Sequence, residues 1–148
     1  KDNLSFFPRE RDEFWNAIGR AGGRVYFCGH DHMYNRAAVT DRAGNAIRQI
    51  VAGTGGGSLR TWSGQYGEEE RVRGEYDRDG LHGYVLVTVN GSEATIRWKA
   101  LARGRDESAW QVLDTFSYTL AAPAGRSVRA DRRPSLGGLP PDLEAPAE

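Results

Sequence analysis

The sequence predicts an α/β chain, built mostly from β hairpins behind one N-terminal helix. Three observations predict it. A helical apolar period occurs once, near the N-terminus. Strand-like alternation recurs between turn residues further on, and an Asn-Gly pair separates two alternating runs. With 148 residues and an apolar fraction of 39%, one core is expected, so a single domain is the natural division.

Residues 8 to 21 read as an amphipathic helix. Pro8 suits the first turn, and Glu10, Asp12 and Glu13 sit near its positive end. Phe14, Ile18 and Ala21 follow helical spacing, Ser5 is a candidate cap, and Gly22-Gly23 stops the helix. The apolar run Arg24 to Cys28 follows at once and ends at Gly29, as expected of a mostly buried strand that delivers Gly29 to Tyr34 to a sheet end.

Ala37 to Thr40 and Ala46 to Ala52 read as a hairpin around Asp41 to Asn45. The stretch from Ser58 to Gly80 is polar, charged and Gly-punctuated without a sustained period, and reads as a surface excursion. A second hairpin runs from Gly83 to Val89, turns at Asn90-Gly91, and returns from Glu93 to Ala100. A last strand over Trp110 to Leu120 is expected to pair with it. Five of the six prolines follow Leu120, so 121–148 reads as a flexible Pro/Gly/Ala-rich tail after a domain spanning 1–120.

Composition narrows the partners. Twenty basic and twenty acidic side chains cancel and are interspersed, which argues against a nucleic-acid-binding face. No apolar run is long enough for a membrane span. Cys28 is the single cysteine, so no internal disulfide is available and the compartment stays open. The chain opens on Lys1 without an initiating Met, and reads as a piece of a longer protein.

The chemistry concentrates in Gly29-His30-Asp31-His32. Two imidazoles two residues apart project to one side of an extended segment, and imidazole suits zinc, iron or manganese. Asp31 points the other way, toward a supporting hydrogen bond or solvent, and Cys28 reads as a small core residue. Tyr34 and Arg36 are candidate substrate contacts, with packing and ion pairing at the strand end as the alternative. Gly53 to Gly57 lacks the Lys and the helix of a nucleotide P-loop and reads as a turn. His82 reads as an ordinary hydrogen-bonding residue at a strand entrance. Trp62, Tyr66 and Glu68 to Glu70 could form a lid or a solvated loop.

The string Val25 to Arg36 resembles the last metal motif of the calcineurin-like metallophosphoesterases, and His-x-His-x-Tyr-x-Arg resembles their purple-acid-phosphatase-like branch. Gln49 to Gly56 is similar to the strand and Gly-rich turn that follow it, and Gly83 to Trp98 to the terminal hairpin. The resemblance implies the C-terminal part of a four-layer α/β sandwich that hydrolyses phosphoesters. It implies two divalent or trivalent ions (Fe, Mn or Zn), one bound by His30 and the other by His32. The family's upstream ligand strings are not in this sequence, so the resemblance implies a partial site here, with the N-terminal half of the domain as partner and a phosphoester as substrate. The alternative is a non-catalytic β-rich binding or scaffolding module that keeps the loop as a vestige.

Overall fold

The computed structural model describes residues 6–101 and 110–120. The proposed tail at 121–148 and the candidate cap Ser5 lie outside the described residues. The architecture is mixed α/β, mostly β-sheet with one helix.

Helix α1 spans Pro8–Arg20, with Phe7 as the N-cap residue, no hydrogen bond from its side chain, and Pro8 in the first turn. Its end is a Schellman turn: Gly23 N–H donates to the Ile18 carbonyl at 2.9 Å and Gly22, at φ 76°, donates to Gly19 at 3.0 Å. Trp15 is the buried residue of the helix, packed edge-on against Phe14 and Tyr26. The apolar stripe is thus centred on Trp15, with Phe14 and Ile18 beside it, while Ala21 is exposed.

Two sheets follow. The first has the order β1-β3-β2-β4, from β1 (Val25–Cys28), β2 (Tyr34–Thr40), β3 (Ala46–Ala52) and β4 (Val72–Arg78). β1 runs parallel to β3, and the other two pairings are antiparallel. The second has the order β5-β6-β7, from β5 (Gly83–Asn90), β6 (Glu93–Leu101) and β7 (Trp110–Thr119).

Three expectations change. β1 is an edge strand rather than a mostly buried one, and Phe27 is 43% exposed. The supposed excursion over 58–80 contains β4, which escapes a period-two reading because Glu75 is an extra residue between the pairs Arg36↔Tyr76 and Ala37↔Gly74. The second hairpin turns one residue later than expected. Asn90 pairs with Glu93, leaving Gly91-Ser92 as the loop, and Gly91 at φ 58° takes the single positive φ that a II′ turn needs.

The first hairpin turn is fixed by Asp41. Its carboxylate accepts from the Ala43 and Asn45 backbone N–H groups at 2.9 and 2.7 Å and from the Asn45 amide at 2.8 Å. The Asn45 side chain and these N–H groups hold the Asp41 carboxyl below its usual range. Gly19 is where α1 meets this turn; a Cβ there would come within 2.1 Å of an Asp41 carboxylate oxygen.

The sheets pack face to face around Tyr34, Ile50, Ile96 and Trp98. The Tyr34 and Trp98 rings stack at 4.3 Å, only 3° from parallel. A second cluster of Trp15, Val39 and Ile47 lies between α1 and the other face of the first sheet. No helix among the described residues is long and apolar enough to cross a membrane.

Candidate metal centre

The loop between β1 and β2 holds both histidines. His30 has φ 78°, the only positive φ at a non-glycine among the described residues. A side chain in that region is disfavoured and persists only where its surroundings hold it there, a pattern concentrated at functional sites. Directly after it the chain turns tightly, as Met33 N–H donates to the Asp31 carbonyl at 2.8 Å. Met33 is buried, which anchors the end of the loop.

The segment after β3 forms a second layer under this loop. Gly53 N–H donates to the Met33 carbonyl at 3.2 Å, and Arg60 N–H donates to the His32 carbonyl at 3.0 Å. A Cβ on Gly53 would stand 2.0 Å from the Asp31 carbonyl oxygen, and one on Gly57 would stand 2.4 Å from the His32 ring. Those two glycines of the run therefore make room for the histidine loop.

His32 is oriented by Ser58, whose carbonyl oxygen lies 2.7 Å from its Nδ1. A carbonyl only accepts, so Nδ1 carries the proton, and in the neutral ring the lone pair is on Nε2. That is the tautomer and the supporting contact typical of a metal-binding imidazole. The donor chemistry of the loop fits a transition-metal ion: His30 is exposed and His32 half-buried. Among the described residues no group of three or more His, Cys, Asp or Glu converges to complete such a site.

Asp31 is exposed beside them. Cys28 lies against the sheet, with its Sγ 3.5 Å from the Gln49 amide and 3.6 Å from the Ile50 carbonyl. Burial pushes its thiol pKa up, which disfavours the thiolate form. His82 Nδ1 meets the Thr54 carbonyl at 3.2 Å, at the point where Thr54 and Gly83 bond each other across the start of β5.

Tyr34 and Arg36 are taken up between the sheets. Tyr34 is 1% exposed and its hydroxyl donates to Asp114 at 2.8 Å. Arg36 grips the same carboxylate with two bonds of 2.8 and 3.0 Å, and also binds Glu75, which accepts from Arg48 at 2.9 Å. Burial, then the adjoining Asp114 carboxylate, raise the Tyr34 pKa. The substrate contact expected of Tyr34 has no exposed phenol to make it.

Several residues that matter to this geometry carry little or no signal in the sequence. Asp114 stands in the alternating pattern of the last strand and Glu75 in a charged stretch, neither marked by a motif, and Ser58 acts through its backbone, which leaves no side-chain signal. Asn35 is buried on the opposite face of β2 from Tyr34, where it meets Tyr66. Comparison with protein-family models, curated proteins and solved structures gives no match.

Proposed function

We propose that this chain contributes the Gly-His-Asp-His loop of a dinuclear metal-dependent phosphoesterase, within the C-terminal part of a four-layer α/β sandwich. The observation that carries the reading is the His32 ring, fixed at Nδ1 by the Ser58 carbonyl with the proton off Nε2 in its neutral form. His30 and His32 are the metal ligands in this reading. Iron, manganese or zinc ions, when bound, act as Lewis acids toward phosphoryl oxygens and lower the pKa of water.

The residues of this chain hold that site in place. Gly53 and Gly57 let the second layer approach, Ser58 sets the His32 tautomer, and the Tyr34–Arg36–Asp114 cluster ties the strand after the loop to the second sheet. Remaining ligands come, on this reading, from the N-terminal half of the domain. Support comes from the sheet edges. Phe27, opposite the core residue Ile50, is 43% exposed, and Val87 and Val89, opposite the core residues Ile96 and Ala94, are 44% and 69% exposed. Inner-face apolar groups left open on two edge strands are what a sandwich presents where further strands cover it.

A second reading, a non-catalytic β-rich binding module, is favoured by the lack of a third converging ligand among the described residues. Calorimetric titration with Zn²⁺ or Mn²⁺ separates the two. The first reading expects one weakly held ion, lost in the His30→Ala, His32→Ala double variant. Equal uptake by that variant, or none by the parent chain, overturns it.

A further inference from the structure

We propose that the groove leading away from His30 receives the planar aromatic leaving group of a phosphoester, with Trp62 as the stacking residue that sets this preference. The phosphoryl end of the inference rests on the metallophosphoesterase reading; the aromatic end stands on the groove itself. The groove encloses about 760 Å³ between α1, the outer face of the first sheet and the segment after Gly57. That is within the roughly 300–1,000 Å³ of small-molecule sites. His30 and Asp31 line one part of it, and Trp62 and Tyr66 another.

The aromatic wall is held by hydrogen bonds and ring contact. Tyr66 and the 4%-exposed Asn35 exchange two hydrogen bonds, the amide donating at 2.9 Å and the phenol donating at 3.3 Å. The Tyr66 hydroxyl is therefore engaged, and the residue acts as a wall rather than as a proton donor. Gly74 makes room for the ring, since a Cβ there would lie 3.0 Å from it. Trp62 leans on Tyr66 at 4.9 Å and 59°, and its backbone N–H donates to Asp79 at 3.2 Å.

The rest of the lining decides what kind of group fits. The floor is uncharged, from Ala37, Val39 and Val51 with the amides of Asn35 and Gln49 beside them. Among the described residues its two Arg side chains are engaged: Arg11 with Glu68, and Arg71 with Asp12 at 2.8 Å and Glu68 at 3.0 Å. A second anionic group would find no unengaged partner in them. An uncharged planar ring is the group that an uncharged floor and an indole wall recognise, since aromatic stacking accepts any π-face.

The test is an NMR titration of the ¹⁵N-labelled full chain, with the Trp62 indole signal assigned by its loss in Trp62→Phe. Phenol and phenyl phosphate are expected to shift that signal while methyl phosphate leaves it in place. Trp62→Ala is expected to weaken phenol binding by about tenfold, the scale of one stacking contact, and Trp62→Phe to retain it. Phenol needs no metal, so this arm stands even if Zn²⁺ uptake fails and the phosphoesterase reading with it. Adenosine monophosphate binding more tightly than phenyl phosphate marks a nucleobase, and the reverse order a simple aryl group. Unchanged phenol affinity in Trp62→Ala overturns the proposal. So does an equal response to methyl phosphate, or a signal that shifts with protein concentration alone because a second copy fills the groove.

Discussion

Arg36 on β2 and Asp114 on β7 form a two-pronged ion pair between the sheets, with bonds of 2.8 and 3.0 Å and both side chains largely withdrawn from solvent. A buried pair contributes little net stability by itself, but removing one member strands the other charge. Asp114→Ala takes away one of the two carboxylates that hold Arg36, Glu75 remaining as the other, and leaves the buried Tyr34 hydroxyl without its acceptor, so it should cost about 3 kcal/mol, the low end for a broken buried pair. The triple change Tyr34→Phe, Arg36→Met, Asp114→Leu should cost much less, because it leaves no orphaned hydroxyl and Glu75 keeps Arg48 at 2.9 Å. Urea unfolding of both variants checks this, and equal losses would sink the argument.

The same cluster sets an alkaline limit. The Tyr34 pKa is raised in the folded state, by burial first and then by its bond to Asp114. The folded chain therefore keeps a proton that the unfolded chain releases above about pH 10. Stability should be fully present below that pH and fall as pH rises beyond it. Tyr34→Phe, which removes the titrating group, should flatten this alkaline limb while lowering stability at neutral pH by about 1 kcal/mol for the lost bond. Unfolding midpoints measured from pH 8 to 11 give the comparison.

Asp12 works in the opposite direction. Arg71 and then Arg42 hydrogen-bond its carboxylate and hold its pKa down to about 2, against 3.8 in the ordinary state. Here the unfolded chain binds the proton first, so the contribution is present above pH 3.8 and disappears as pH falls toward 2. Asp12→Asn should be less stable at neutral pH and show a shallower acid limb. Added salt should weaken the effect, since Arg42 is well exposed.

The β hairpins and the single helix were legible because their signals are local: a period of two, a period near 3.6, Pro8 at a helix start and Gly22-Gly23 at its end. β4 was not, because an edge strand with Gly74 and an extra Glu75 carries charges where a period-two pattern is sought. The one-residue shift of the second turn reflects register, which Asn90-Gly91 permits in more than one phase. At the candidate site the two imidazoles stand out as residue types, whereas their support is backbone. The Ser58 carbonyl, the Asp31 carbonyl under Gly53 and the empty Cβ position of Gly57 leave no trace in a side-chain pattern. Asp114 lies 78 residues from Arg36, and only the packing of the two sheets reveals the pair.

Gly57 gives the sharpest test of how His32 is held. A methyl group there would lie 2.4 Å from the ring carbon and 2.7 Å from Nδ1, so the imidazole must leave the Ser58 carbonyl or the 53–60 segment must move. Either change releases the tautomer that keeps the Nε2 lone pair available. Gly57 does not have a positive φ, so the effect of Gly57→Ala comes from its contact with the His32 ring and not from a left-handed backbone. Zn²⁺ affinity should fall by about 10–100-fold, the usual effect of losing such a supporting contact, while the urea midpoint moves little. Gly55→Ala serves as the control, since a Cβ there meets nothing within 4 Å. Equal affinity in the two variants would mean that His32 does not depend on Ser58 for its orientation.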